Sequence, residues 1–316
     1  MISIVLVGRN DNYGGDFENR LFSTLSYNTA RLKESRVAHE IIFVEWNPIP
    51  TNPLLSPKII ERFDNATCYV VDNDVHEYLS ENKNIKVYEY LAKNVGAKRA
   101  KGEWLLITNP DDFFGKSVIE FLAKQDFNPQ ALYRTGWVDI RTEDQIDSPD
   151  LRDAYVNDPP PYNCASGDFI YIHKMLFNSV GGFSEYNNLT DLHKDSLLCS
   201  TVFKKINTVY KVGNVYHLHH ERDNDRERRI HSNFNNMLLK IEMLLRAQKN
   251  YGLTDITKTV SISNRFNRLE LAACLKAVLF LKKIIPFNRY SWYKFLNKLK
   301  QKWSKNSHPI KQRLIF

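Results

Sequence analysis

The run Trp104-Leu105-Leu106-Ile107-Thr108 ends abruptly in Asn109-Pro110-Asp111-Asp112. A short strand that is apolar throughout must be covered on both faces, which is the situation of an interior strand in an α/β sheet. Pro110 has no N–H to give to a ladder, so the chain turns there. Two aspartates then emerge at the carboxyl end of an interior strand, the edge at which open α/β sheets bind ligands. Hard carboxylate oxygens at that edge suit Mg²⁺ or Mn²⁺ bridging to substrate phosphates. The pair also suits the start of the following helix, Lys116 to Lys124, because acidic residues are favoured at helix N-termini. The dipeptide alone leaves both readings open.

Its surroundings favour a sheet. Ile2 to Val7, His39 to Trp46, Cys68 to Val71 and Ile85 to Tyr88 read as strands. They are separated by helical stretches at Phe17 to Lys33, capped by Asp16, at Leu55 to Phe63, and at Lys93 to Lys101. Strands alternating with helices predict a mostly parallel sheet flanked by helices. A second region opens at Ala131 and carries an acidic, proline-rich loop from Glu143 to Pro161. Beyond it, Asp168 to Ile172, Val209 to Val212 and Val215 to Leu218 read as strands. Lys174 to Val180, closed by Gly181-Gly182, and Asp195 to Lys205 read as helices. Helical pattern returns over Ile230 to Ala247 and Arg268 to Lys283. The expected organisation is an α/β domain over 1–225, with halves 1–115 and 130–225, and a helical, basic region over 226–316.

Charge is divided along the chain. Residues 261–316 hold thirteen basic residues against Glu270, a net +12, so residues 1–260 carry −4 of the total +8. A mildly acidic body argues against nucleic acid as the partner. Cys68, Cys164, Cys199 and Cys274 show neither CxxC nor zinc spacing, as expected of free thiols in a reducing compartment. The chain opens on a strand with no signal-peptide pattern, and no apolar run reaches bilayer-spanning length. The expectation is a cytoplasmic protein.

Several groups fall at the same sheet edge. Gly8-Arg9-Asn10-Asp11 follows the first strand, where glycine allows close approach to a phosphate, although neither GxGxxG nor a Walker lysine is present. Glu45-Trp46-Asn47 ends the second, where a carboxylate can accept from a nucleobase. Asn94-Val95-Gly96-Ala97-Lys98-Arg99-Ala100-Lys101-Gly102-Glu103-Trp104 leads into the aspartate strand. Its Gly96, Ala97 and Ala100 form a small face, and Arg99 is placed as a fork for diphosphate oxygens.

This last segment, NxGxxxAxGEWLL followed by an acid cluster, resembles the family 2 glycosyltransferases of the GT-A fold, over roughly residues 1–220 by the order of motifs. The resemblance implies a nucleotide-sugar bound at the strand edges and a divalent cation, Mn²⁺ or Mg²⁺, held by a DxD motif. Asn109-Pro110-Asp111 stands in the DxD position with its first acid replaced. Asp111 and Asp112 are then the expected metal ligands, and Asn109 a donor contact. Arg9, Asn10 and Asp11 fall where the nucleotide pocket begins, Glu45 where the base is read, and Asn94 and Arg99 beside the donor. Gly181-Gly182-Phe183-Ser184-Glu185 is similar to the family's GGF-E turn by the acceptor site. In place of the acidic pair beyond it stands Asp191-Leu192-His193-Lys194-Asp195, making Asp195 the expected catalytic base and Asp191 the second choice. Asp195 also suits a plain helix N-cap. In His217-Leu218-His219-His220, an extended chain puts His217 and His219 on one side and His220 on the other. The resemblance implies a metal or diphosphate histidine there, with His217 first and His220 next.

The implied activity is metal-assisted transfer of a sugar to a hydroxyl acceptor with inversion, in polysaccharide or glycan synthesis. Two alternatives remain: a non-catalytic nucleotide-sugar-binding protein on a degenerate scaffold, favoured by Asn109 and Lys194, and a nucleotidyltransferase. Trp292, Tyr293, Phe295 and Trp303 interleave with Lys294, Lys298, Lys300 and Lys302. That pattern suits either an anionic membrane surface carrying a lipid-linked acceptor or a packed helix with a solvated basic face.

Overall fold

The computed structural model describes residues 1–80, 82–148, 169–185, 194–220 and 251–253. Expectations that fall on 149–168, 186–193, 221–250 and 254–316, among them Asp191 and the basic C-terminal segment, lie outside the described residues.

The chain begins with β1 (Ile2–Gly8), α1 (Phe17–Glu34), β2 (His39–Trp46), α2 (Leu55–Arg62), β3 (Ala66–Val71), α3 (Asn73–Leu79) and α4 (Glu89–Arg99). β4 (Trp104–Thr108), β5 (Asp112–Phe114), α5 (Lys116–Lys124) and β6 (Leu132–Ile140) follow. β7 (Phe169–His173), α6 (Lys174–Ser179), α7 (Lys194–Ile206) and β8 (Val209–Leu218) complete the set. The strands form one eight-stranded sheet in the order β3-β2-β1-β4-β7-β6-β8-β5. β3, β2, β1 and β4 are mutually parallel. Beyond β4 the sheet is mixed, with β7 antiparallel to both β4 and β6, β8 parallel to β6, and β5 antiparallel to β8. The first half is Rossmann-like, and the α/β architecture with helices flanking the sheet is the one expected.

Strand β1 explains why both faces must be apolar. Ile2, Ile4 and Leu6 pack with Leu21 and Leu25 of α1, while Val5 and Val7 pack on the other side with Ala97 and Val95 of α4. The small face of α4 permits this approach: a Cβ on Gly96 would stand 2.6 Å from Val5 Cγ1. β4 is buried in the same way, with Leu105, Leu106 and Ile107 at 0% exposure.

Three expectations need correction, and one of two open readings, the helix start at Asp111-Asp112, is closed. Ile85 to Tyr88 is not a strand; Ile85 and Tyr88 are buried beside Trp46 instead, and the segment leads into α4, which begins at Glu89. Asp111 and Asp112 do not open a helix, because Asp112 begins the short strand β5 and α5 starts only at Lys116. Val209 to Leu218 is one strand rather than two, and the register shift against β6 at Gly213 (φ +86°) is a bulge where glycine suits the left-handed backbone. Asp16 (φ +52°) accepts from the Asn19 amide and makes no side-chain cap to α1; Phe17 N donates to Asn12 Oδ1 at 3.2 Å. Among the described residues, no helix is long and apolar enough to cross a membrane.

Candidate active site

The reversal between β4 and β5 determines where Asp111 sits. Asn28 of α1 bridges it, donating to Asp112 O at 2.9 Å and accepting from Phe114 N at 2.8 Å. The Asp112–His217 register of the β5–β8 ladder is extended by Leu218 N, which donates to Asp111 O at 3.2 Å. The end of β8 is thereby fastened beside Asp111, and the strand ends at Leu218. His219 is exposed, its N–H bonded to Ile140 O at 2.7 Å. The alternation expected of an extended segment fails at this point, and both His217 and His220 turn to the aspartate.

Asp111 Oδ2 lies 3.6 Å from His217 Nε2, 3.2 Å from His220 Nε2 and 3.7 Å from Arg20 Nε. The ligand atoms of Asp111, His217 and His220 all lie within 4.8 Å of one another, on nearly buried side chains. Donors bound to one ion at about 2.0–2.2 Å stand roughly 3–3.5 Å apart; the two Asp111–imidazole distances are close to that, so the three side chains could hold a divalent cation. Burial pushes the Asp111 carboxyl up. The hydrogen bond from His220 and the charges of His217, His220 and Arg20 outweigh it and hold the carboxyl below its ordinary range.

Asp112 was expected in this group and is not in it. Its Oδ2 lies 3.4 Å from Thr108 Oγ1 and 3.3 Å from Asn109 N, closing the turn between β4 and β5. His220 makes the third member instead. Two further groups were not foreseen. Arg20, 5% exposed, donates to the carbonyls of Tyr13 (2.6 Å), Gly14 (3.3 Å) and Gly15, tying the loop after β1 to Asp111. Asp139 of β6 sits beside His217 in register, and its Oδ1 is 3.0 Å from His217 Nδ1. Arg20 falls on the Phe17–Thr24 helical stripe, and Asp139 lies in the alternating Trp137-Val138-Asp139-Ile140; those are the only sequence signals either gives.

The other expected donor contacts are mostly engaged with the protein itself. Glu45, fully buried, accepts from Leu55 N (2.9 Å), Ser56 N (2.9 Å) and Ser56 Oγ (2.7 Å) at the start of α2. It closes that helix rather than presenting a carboxylate to a base. Arg99 donates to Val95 O (3.2 Å), Gly252 O (2.7 Å) and Leu253 O (3.2 Å), holding the 251–253 segment rather than facing the edge. Asn94 clamps the GGF-E turn, bonding Phe183 N and O at 2.9 Å each and Glu185 Oε1 at 2.6 Å. Asn10 secures the loop after β2, donating to Ile49 O, Asn52 O and Pro53 O and accepting from Ile49 N at 2.6 Å. Arg9 pairs with Asp11 at 2.9 Å and donates to Asn47 O at 2.6 Å, bracing the loops after β1 and β2. Gly8 is required by packing, because a Cβ there would stand 2.9 Å from the Phe17 and Phe43 rings. Asn109 Oδ1 accepts from the buried Lys93 Nζ at 2.8 Å. Asp195 lies in the first turn of α7, 6% exposed, and accepts from Ser196 N at 2.7 Å.

No protein-family model matches the chain, and no curated protein matches it. Among solved structures it is similar to S. aureus TarS 1–349 in complex with UDP, at 14% identity over 78% of this chain and 66% of that chain, TM-score 0.48. Mannosyl-3-phosphoglycerate synthase from Rubrobacter xylanophilus is similar at 12% identity over 83% of this chain and 79% of that one, TM-score 0.47. The mannosyltransferase PcManGT from Pyrobaculum calidifontis, solved with GDP-Man and Mn²⁺, is similar at 11% identity over 88% and 74%, TM-score 0.44.

Proposed function

We propose that the protein is a nucleotide-sugar-dependent glycosyltransferase whose donor diphosphate is met at the Asp111–His217–His220 cluster. The observation that carries this is the convergence of one carboxylate and two imidazoles at the carboxyl end of a central strand. That edge is the ligand-binding edge of an α/β sheet, and the chain around it bears the NxGxxxAxGEWLL resemblance.

Asp111, His217 and His220 would hold the cation, which when bound supplies positive charge to the leaving nucleoside diphosphate. Two imidazoles beside one carboxylate are accepted more readily by a first-row ion such as Mn²⁺ than by Mg²⁺, which prefers oxygen ligands throughout. Arg20 keeps the loop 13–15 close to the same carboxylate. Asp195 is the proposed base. It takes the proton of an acceptor hydroxyl as that oxygen bonds to the anomeric carbon and the bond to diphosphate breaks, with inversion. The acceptor is a glycan or a lipid-linked sugar, and residues 286–316 bring the protein to an anionic membrane. Liposome flotation with and without that segment tests the membrane contact; equal flotation of both chains contradicts it.

The direct test is a panel of nucleotide-sugars with Mn²⁺, scored first by thermal shift and then by released nucleoside diphosphate. The proposal expects stabilisation and release with at least one donor. Stabilisation without release, across glycan and lipid-linked acceptors, favours a non-catalytic binder instead.

A further inference from the structure

His217 carries two ring nitrogens with different neighbours. Nε2 faces Asp111 Oδ2 at 3.6 Å, and Nδ1 lies 3.0 Å from Asp139 Oδ1. An imidazole that offers a lone pair at Nε2 must keep its proton on Nδ1, and an imidazole with no acceptor at Nδ1 samples both tautomers. A carboxylate at Nδ1 fixes the proton there and makes the ring a stronger ligand.

The sheet builds this contact. β6 and β8 run parallel with Asp139 opposite His217, while β5 places Asp112 opposite His217 on its other side. Trp137, two residues before Asp139 on the same strand, lies against the His217 ring with centroids 5.4 Å apart. The His220 ring stands 5.1 Å away. The imidazole is thus held laterally by two rings and polarised from behind by a carboxylate. Asp139 is 41% exposed, so solvent reaches the carboxylate from the side away from the ring.

We infer that Asp139 is a positioning residue: it accepts the Nδ1 proton of His217 and so presents the Nε2 lone pair toward Asp111. This rests on reading Asp111, His217 and His220 as a cation site. Asp139 touches neither the donor nor the cation in this account and acts only through the imidazole.

The test uses the full chain and Mn²⁺ alone. Calorimetric Mn²⁺ affinity is measured for the wild type, Asp139→Ala, Asp139→Asn and Asp139→Glu. The His217 tautomer is read from imidazole ¹⁵N shifts in the metal-free proteins, at a pH where the ring is neutral. Asp139→Ala is expected to weaken Mn²⁺ about 10–100-fold and to move the His217 proton off Nδ1. The near-isosteric Asp139→Asn, which guards against misfolding of the alanine variant, is expected to lose less, and Asp139→Glu to recover part of the affinity. Unchanged affinity with Nδ1–H retained in Asp139→Ala overturns the inference and leaves the cation site standing. Weaker binding with an unchanged tautomer assigns the loss to charge alone and also overturns it. A wild type that binds no Mn²⁺ fails one step earlier, at the cation site itself.

Discussion

Asp111 is the residue on which most of the site's electrostatics converge. Its carboxylate faces three nitrogen-bearing side chains, with Arg20 nearly buried behind it. Asp111→Asn keeps the shape of the side chain and leaves Arg20 its three loop carbonyls, so the fold is expected to survive. The Mn²⁺-induced thermal shift is expected to disappear; a shift equal to the wild type would place the cation elsewhere. His76 gives a prediction independent of the site. It is buried and takes a hydrogen bond at Nδ1 from Trp46 Nε1 at 3.0 Å, so protonating that nitrogen breaks the contact. Burial lowers its pKa below the ordinary 6.5, with Arg9 and Lys86 acting in the same direction, while a backbone hydrogen bond to Ile85 and the charge of Glu77 oppose them. A folded pKa below the unfolded one means that the unfolded chain binds the extra proton first. The stabilisation is therefore fully present above about pH 6.5 and declines as pH falls toward the folded pKa. His76→Gln is expected to flatten the dependence of Tm on pH in that window, and an identical profile in the variant would contradict it. Asp111 and His217 were legible in the sequence because they stand at punctuation, a proline turn and a strand end. Asp139 and Arg20 were not, since the partner of each is brought to it only by the folded sheet, 78 residues away along the chain for Asp139.

Among the elements, α2 depends on a residue from outside it. No side chain at Leu54 caps the helix, and Glu45 of β2 supplies the acceptors for its first N–H groups instead. Glu45→Ala leaves buried donors without a partner and is expected to cost about 3 kcal/mol, read from urea unfolding. A loss under about 0.5 kcal/mol, the range of an ordinary surface change, would mean that Glu45 is free for another task. Gly96→Ala puts a methyl 2.6 Å from Val5 Cγ1, where α4 crosses β1, and overpacking of this kind costs about 1–3 kcal/mol. An unchanged urea midpoint would show that the interface can yield. The small face of α4 and the apolar runs of β1, β2 and β4 were readable because burial on both faces leaves a continuous pattern. Ile85 to Tyr88 carries three apolar residues around an exposed Lys86, and it packs through Ile85 and Tyr88 beside Trp46 and His76 without joining the sheet. Composition records that part of such a segment is buried, but pairing depends on where the neighbouring strand ends. The short β5 was hidden for the opposite reason: three residues are too few for a period, and its ladder partner arrives some hundred residues later, at Val215–His217.

At the scale of the molecule, a parallel half and a mixed half share β4, and the candidate site lies where β4 turns into β5. The parallel half supplies Arg20 and the loop after β1, while the mixed half supplies Asp139, His217 and His220. This division explains why a motif centred on Asn109 to Asp112 falls at the candidate cluster without naming all of its members. Metal selectivity follows from the nitrogen-rich set: activity with Mn²⁺ is expected to exceed that with Mg²⁺ by about tenfold or more at equal concentration. Equal rates would point to an all-oxygen site. The central claim, that Asp111 with its two histidines serves transfer from a nucleotide-sugar, is tested most directly by the nucleoside diphosphate released from a donor panel with Mn²⁺, wild type against Asp111→Asn. Release by the wild type from at least one donor is expected, with a loss of about 100-fold or more in the variant. Wild-type release by Asp111→Asn would contradict it.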